Sequence, residues 1–397
     1  MGFSRTVNAS VMRSINFSTI LELIRRESPI SRSKIAEQLH MSLPTVMRIV
    51  DELVTENLVI DTGDTEWSGG RRRNLLKFNA SSYVVIGVDL GGTKMYGAVS
   101  DLGGNVICEI TIDQHGTTDE ESYSCLVGLI QQLIDTCGRD MREIRGIGVG
   151  APGITHTREG VVVWAPSLNW RDFPLKERLT PRFGLPVYVD NDVHLAAMGE
   201  MWFGVGAHVS NMVFIAIGTG IGAGIILDGV LYRGSHEAAG EIGYLLPGRQ
   251  YLGKRYEGFG AFESLASGTG IAERARALLA QLKLGEPVDN LTSEDVFAAY
   301  RDGADWAKHV VDETVDYLAL GISTVSVLLD PELIVLGGGV SGAADALIQP
   351  ILDRLEGSIP VVPRITVSTL GRRAAVMGTI TSTLHMTTDY YVLRRPI

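Results

Sequence analysis

Cysteine is scarce in this chain, with three in 397 residues. Cys108, Cys125 and Cys137 form no CxxC pair and no spacing that would frame a disulfide scaffold or a zinc site, so they read as reduced, structural thiols. Long hydrophobic runs are missing too. No stretch approaches the roughly 20 apolar residues of a membrane span, and the N-terminus has no continuous apolar core of a secretory signal. The expectation is a cytoplasmic protein with no membrane partner. Paired histidine ligands are also lacking: His236 and Glu237 open HEAAG, but Gly240 stands where a metalloprotease helix needs its second histidine.

What is there has the balance of an ordinary globular protein, 45% apolar and 20% charged, at a length of two or three domains. Charge is unevenly placed. Residues 1–80 hold 11 Lys and Arg against 9 Asp and Glu, whereas residues 81–397 hold 24 against 37. Within residues 1–50 the count is 7 basic to 3 acidic, so only the N-terminal part can approach a polyanion without long-range repulsion. The body suits small ligands.

Residues 15–26 place Ile15, Ile20, Leu23 and Ile24 near helical spacing, ending before Ser28 and Pro29. Ser31 is expected to cap a second helix, SRSKIAEQLH, and Ser42 a third, LPTVMRIVDELVTEN, with Pro44 tolerated in its first turn. A helix-turn-helix of this kind offers the start of its second helix to the major groove, here Ser42, Pro44, Thr45 and Arg48, with Arg48 the leading base or phosphate contact. LVID (58–61) and LLKFN (75–79) read as two strands of a wing around a polar loop ending in SGGRRR. Gly70, Arg71, Arg72 and Arg73 at its tip suit phosphate neutralisation or a narrow minor groove. A solvated basic loop and a protein-binding helical bundle are the bland alternatives; helices, wing and arginines together favour DNA.

The body opens with VVIGVDLGGTKMYGAVSDLGG (84–104), a strand, a glycine turn with one acid, and a second strand. Gly91 and Gly92 carry no Cβ, so backbone N–H groups can close around a phosphate, and Asp89 can hold a metal ion bound to it. MVFIAIGTGIGAGIILDGV (212–230) repeats the pattern with the Thr219 hydroxyl in its turn. Two related hairpins imply two related lobes with a nucleotide cleft between them. PELIVLGGGV (331–340) supplies a further strand and the turn at Gly338 and Gly339.

Taken together, SRSKIAEQLHMSLPTVMRIVDELV, GGRRR, DLGGTK, GVGAPG (148–153), VDNDVHLAAMGE (189–200), GTGIGAG (218–224) and GEIG (240–243) carry a resemblance. Over nearly its whole length the chain resembles the ROK family of repressors, open reading frames and kinases, whose regulatory members join a winged helix to a sugar-kinase-like body. The resemblance implies an α/β protein: an N-terminal winged helix-turn-helix followed by a two-lobed actin-like, hexokinase-type (ribonuclease H-like) sugar kinase fold. It implies Asp192 as catalytic base, taking a proton from a sugar hydroxyl, and Gly153, Asn191, Asp192, Glu241 and Glu263 as sugar contacts. Thr93 and Lys94 of DLGGTK join Asp89, Gly91, Gly92, Gly218, Thr219, Gly220, Gly222, Gly338 and Gly339 as phosphate or nucleotide contacts, with ATP and Mg²⁺ as cofactors. Blander readings stand beside these: Glu241 at a helix end, Glu263 on an exposed helix side, Asn191 in a turn.

Two departures follow from the same resemblance. Most members bind zinc through GEIGH and a CxCGxxGCxE run, but aligning Glu263 with its last residue puts Tyr244, Lys254, Tyr256 and Ala261 at the ligand positions, so no zinc is expected. The loop would be held instead by Tyr251, Tyr256, Phe259 and Phe262, with Tyr244 offering a hydroxyl to sugar. Ser167 stands where the family often has an asparagine facing the sugar, which leaves the sugar's identity open.

The leading reading is a sugar-responsive, DNA-binding transcriptional regulator, a repressor of carbohydrate metabolism genes, acting on operator DNA as a homodimer or higher oligomer. The alternative is an ATP-dependent sugar kinase carrying a DNA-binding module, and a third is a DNA-bound sensor for which ATP and sugar are effectors. A complete winged helix has no obvious use in a metabolic kinase. Domain limits are expected at residues 1–80, 81–195 with 381–397, and 196–380, the C-terminal helix starting at Thr381 and losing its pattern at Thr387.

Overall fold

The computed structural model describes residues 9–68, 71–114, 118–256, 259–282 and 290–387. The N-terminal module runs α1 (Ala9–Glu27), β1 (Ile30–Ser31), α2 (Arg32–Gln38), α3 (Leu43–Thr55), β2 (Val59–Ser68) and β3 (Arg71–Phe78). Helix α3 buries Val46, Ile49, Val50 and Leu53, the i, i+3, i+4, i+7 stripe of an amphipathic helix. Ser42 caps it: its hydroxyl accepts from the Thr45 N–H at 3.4 Å. The bond is long and exposed, so Ser42→Ala should cost about 0.5–1 kcal/mol, read as a lower urea midpoint at unchanged m-value. Ser31 stands at the N-cap of α2 but makes no cap bond; its Oγ lies 3.3 Å from Ser33 Oγ.

The wing departs from expectation. The polar residues foreseen as a loop are strand, with β2 and β3 antiparallel from Val59↔Phe78 to Ser68↔Arg71 and one register shift between Asp61 and Thr65. Cross-strand polar bonds hold this ribbon: Asn74 Nδ2 donates to Asp61 at 2.9 Å and Thr62 Oγ1 to the Leu75 carbonyl at 3.2 Å. Arg71, Arg72 and Arg73 therefore lie within β3 rather than in a loop, while Gly70 falls outside the described residues.

The first lobe comprises β4 (Val84–Leu90), β5 (Lys94–Asp101), β6 (Val106–Asp113), α4 (Asp119–Thr136), β7 (Ile144–Ala151), β8 (Ile154–His156), β9 (Val161–Ala165), β10 (Trp170–Phe173), α5 (Leu175–Phe183) and β11 (Val187–Asn191). Helix α6 (Asp192–Phe203) leads to the second, with β12 (Met212–Ile217), β13 (Ile221–Leu227), β14 (Val230–Tyr232), α7 (Glu263–Ala266), α8 (Gly268–Leu282), α9 (Ser293–Arg301), α10 (Asp305–Leu329), β15 (Leu333–Gly337), α11 (Ala344–Leu355) and β16 (Arg364–Val367), after which α12 (Ala374–Thr387) returns to the first sheet.

The main sheets have the same plan, β11-β7-β4-β5-β6 and β16-β15-β12-β13-β14. In each, the first three strands pair in parallel and the last three antiparallel. The repeated hairpins are thus β4–β5 and β12–β13.

Helix α12 begins at Ala374, well ahead of Thr381, because its first turns are held against α6 and the sheet strands β4 and β7. The two helices meet backbone to backbone: a Cβ on Gly199 would strike the Ala374 carbonyl and one on Gly378 the Leu195 carbonyl. Residues 388–397 fall outside the described residues.

The N-terminal module shares a core with the first lobe. Phe17, Ile20, Ile24, Ile49 and Leu76 pack in one cluster with Val85 of β4 and with Leu102. The Leu102 N–H donates to the Ala80 carbonyl at 3.0 Å, Tyr83 OH to the Glu56 carbonyl at 3.0 Å, and the Arg145 guanidinium sits 3.7 Å over the Tyr83 ring. Among the described residues no helix is long and apolar enough to cross a membrane.

Candidate functional site

A cavity of 840 Å³ collects residues from both lobes. The first contributes Asp89, Gly91, Gly92, Gly153, Ser167, Asn191 and Asp192; the second contributes Gly218, Thr219, Gly220, Gly222, Glu241, Tyr244, Glu263, Gly338 and Gly339. Thr93 and Lys94 are the exceptions among the body residues singled out from sequence. Both are exposed and off the cavity wall, Lys94 opening β5 and the Thr93 carbonyl accepting from the Gln114 N–H at 2.7 Å. The wall also holds Trp164, Phe214 and Arg372, which sequence reasoning passed over: Phe214 reads as a core position of its hairpin strand, and Trp164 and Arg372 lie outside the glycine and acid motifs. Gly153 (φ 77°) and Gly338 (φ 82°) turn the chain in the left-handed region that favours glycine.

Local sequence sets the aim of Asp192. Asn191 is the N-cap of α6: Oδ1 accepts from the His194 N–H at 2.9 Å, and Nδ2 donates to the Gly153 carbonyl at 2.9 Å. It is therefore neither a simple turn residue nor a wholly free contact. Asp192 follows as the first helical residue, with Oδ1 accepting from the Val193 N–H at 2.8 Å.

Four carboxylates, Asp89, Asp192, Glu241 and Glu263, face this space. Burial pushes Asp192 up to about 7, and the nearby Asp89 charge adds to the rise. Burial likewise pushes Asp89 up to about 6. Glu241 rises to about 7 through burial, then through repulsion from Asp192 and Glu263. Glu263 rises by burial against the opposing effect of two N–H donors, Ile221 at 2.8 Å and Gly260 at 3.2 Å. Glu241 does stand at a helix end, the N-cap of a short 3₁₀ turn, but makes no cap bond, and Glu263 starts α7 with its carboxylate bonded inward rather than on an exposed helix side. A carboxylate titrating near neutrality is suited to accept a hydroxyl proton, and carboxylates around a concave wall match vicinal hydroxyls.

Behind the wall lies a polar cluster that no motif announced. Asp190 is buried and receives Arg233 Nη1 and Nη2 at 2.6 Å each, Tyr188 OH at 2.5 Å and the Asn191 N–H at 2.8 Å. His194 places Nδ1 3.4 Å from Asp190 and Nε2 3.1 Å from the Ala239 carbonyl. This ties the end of β11 to the segment carrying Glu241.

In the loop that precedes α7, Phe262 is buried, whereas Phe259 is 40% exposed and lines the cavity. Lys254 Nζ lies 5.6 Å from the Tyr251 ring centroid, and Tyr244 is half-exposed at the cavity edge. Among the described residues no group of three or more His, Cys, Asp or Glu could hold a metal ion.

On the N-terminal module, Ser42, Pro44 and Arg48 are exposed and Thr45 half-buried. Arg48 is engaged by Glu52 at 3.2 Å, a carboxylate that also takes Arg13 at 2.9 Å. Leu43 and Met47, one turn apart and both exposed, were missed by the sequence reading; they border one edge of the buried stripe.

A winged-helix module built onto a two-lobed sugar-kinase-type body with an acidic cavity defines a class of DNA-binding regulator. The comparisons agree. Residues 85–384 match the ROK family, and residues 19–60 match the winged helix-turn-helix DNA-binding family. The chain belongs to the ROK family. It is 30% identical over 383 residues to the xylose repressor of Caldicellulosiruptor bescii, covering 94% of this chain and 96% of the relative. A crystal structure of a ROK family transcriptional regulator, a homolog of the E. coli MLC protein, superposes with a TM-score of 0.82 at 27% identity, covering 95% of this chain and 97% of that one. The structure of a ROK family glucokinase from Streptomyces griseus in complex with glucose and AMPPNP superposes with a TM-score of 0.67 at 28% identity, covering 76% and 99%.

Proposed function

We propose that this chain is a sugar-responsive transcriptional regulator, a repressor that binds operator DNA through its winged helix and a sugar in the cavity between its lobes. The observation that carries this reading is the shared core joining a DNA-binding module to the lobe that bears Asp89 and Asp192. Likeness to a xylose repressor along nearly the whole chain supports it. In this reading Gly153, Ser167, Asn191, Asp192, Glu241, Tyr244 and Glu263 contact the sugar, and Ser42, Pro44, Thr45, Arg48 and Gly70–Arg73 contact DNA. The working division is a DNA module of residues 1–80, a first lobe of residues 81–195 completed by the C-terminal helix, and a second lobe between them. The protein works in the cytoplasm as a homodimer or higher oligomer. Coupling requires the sugar to bind more tightly in one DNA-affinity state than in the other.

The second reading, an ATP-dependent sugar kinase carrying a DNA module, is favoured by one observation, the rise of Asp192 to about 7 in a cavity with two glycine turns. Mg²⁺ is commonly held by one or two carboxylates plus phosphates; Asp89 beside Gly91 and Gly92 fits that donor set. When bound, the ion would neutralise phosphate charge. Asp192 would receive the hydroxyl proton, and the glycine turns would position the phosphates.

The deciding experiment measures affinity for a duplex selected from a random pool, by fluorescence anisotropy, across hexoses, pentoses and N-acetylated sugars, beside ATP consumption. A sugar that changes the duplex Kd tenfold or more without turnover is the expected result. Arg48→Ala should weaken duplex binding and flatten its salt dependence. An unmoved Kd, with ATP consumed by wild type and not by Asp192→Asn, would replace the regulator with the kinase.

A further inference from the structure

Among the described residues lining the cavity, four are carboxylates and one is cationic, Arg372. It lies in the one-turn helix Gly371–Arg373 that leads into α12, and Ala374 and Ala375 at the start of α12 line the same space. The positive end of this 14-residue helix's dipole therefore lies beside the guanidinium. Gly338 and Gly339, at the end of β15, border the cavity as well.

The resting partner of Arg372 is overcommitted. Arg372 Nη2 lies 3.4 Å from Glu109 on β6, but the same carboxylate takes Arg373 at 3.0 Å and Tyr96 OH at 2.6 Å. Two guanidinium groups thus share one carboxylate, and Arg373 holds the shorter pair. The Arg372 side chain is 61% exposed and lies 5.0 Å over the Tyr96 ring, a face on which its plane can slide without losing packing. Exposed pairs at such a distance are weak. A phosphoryl group carries more charge than Glu109 can offer and matches the guanidinium fork with two parallel bonds.

We propose that Arg372 recognises a phosphoryl group brought into the cavity, exchanging its contact with Glu109 for two bonds to the ligand's phosphate oxygens. This inference rests on the reading of the cavity as a ligand site. The phosphoryl group comes either on a nucleotide or on a phosphorylated sugar.

Isothermal titration of the full chain separates the two sources, with AMPPNP, glucose 6-phosphate and glucose as probes against wild type, Arg372→Gln and Glu109→Gln. Arg372→Gln should weaken one phosphate-bearing probe about tenfold or more and leave glucose within twofold. Glu109→Gln, which keeps an acceptor for Tyr96, should strengthen the same probe by releasing Arg372. The responding probe identifies the source. Wild type binding neither phosphate-bearing probe, both probes within twofold of wild type in Arg372→Gln, or both variants weakening the same probe would overturn the proposal. A phosphate-bearing probe that depends on Arg372, in a protein that no sugar binds or stabilises, would retire the sugar reading and leave the phosphoryl site standing.

Discussion

Arg233→Met will destabilise the folded protein by about 3–5 kcal/mol at neutral pH, the usual cost of leaving one member of a buried ion pair alone. Its partner Asp190 is buried and takes two bonds from the guanidinium. Burial alone would raise the Asp190 carboxyl; the hydrogen bonds from His194 and Arg233, and the Arg233 charge, overcome it and hold the group well below the usual carboxylate range. A lowered folded-state pKa contributes stability above the unfolded value of about 4, and that stability is lost as pH falls below it. Without Arg233 burial prevails, the carboxyl rises, and the loss moves into the neutral range. Asp190→Asn added to Arg233→Met should restore most of the stability, since removing both charges is cheaper than orphaning one. Urea midpoints at pH 7.5 and pH 4.5 give the check. A cost under about 1 kcal/mol for Arg233→Met would mean that the pair merely offsets its own desolvation.

Glu241→Gln is expected to move stability and binding in opposite directions. Glu241 rises from its ordinary 4.5 to about 7, mainly by burial. The folded state therefore holds a proton that the unfolded chain has released between these values, and stability falls as pH rises through that window. Glutamine escapes this loss, so the variant should gain about 1–3 kcal/mol above pH 7 and nothing below about pH 4. It should also weaken sugar binding about 10–100-fold, because an amide oxygen replaces a charged acceptor at the wall. Melting temperatures at pH 4, 6 and 8 with and without sugar measure both effects. A variant less stable than wild type at pH 8 would show that the carboxylate holds the 241–244 turn rather than waiting for a ligand.

What could be foreseen in the sequence was local. The strands of β4–β5 and β12–β13 announce themselves through short apolar runs broken by glycines, and one duplication implied the second lobe. The cavity residues sit inside those same motifs, which is why most could be named beforehand. Thr93 and Lys94, expected as phosphate contacts, lie off the wall, because a strand alternates its side chains and the turn decides which way the first ones face. The wing strands reach further than the expected 58–61 and 75–79 because polar Thr62 and Asn74 make bonds across the ribbon that form only once the strands pair. Asp190 and Arg233 meet across 43 residues, and nothing in either local segment predicts the other. The start of α12 depends on Gly199 and Gly378 touching a partner helix, again a non-local event.

The core common to the N-terminal module and the first lobe has a thermodynamic consequence. Val85 and Leu102 belong to the same cluster as Phe17, Ile20 and Ile24, so neither side can open without exposing apolar surface on the other. The module and the lobe should unfold in a single calorimetric transition, with amide exchange in α3 and β4 slowing to a common limit. A chain cut after residue 80 would carry an uncovered hydrophobic face and tend to self-associate. Without a tether to absorb motion, any rotation of the first lobe on ligand closure swings the reading head by the same angle.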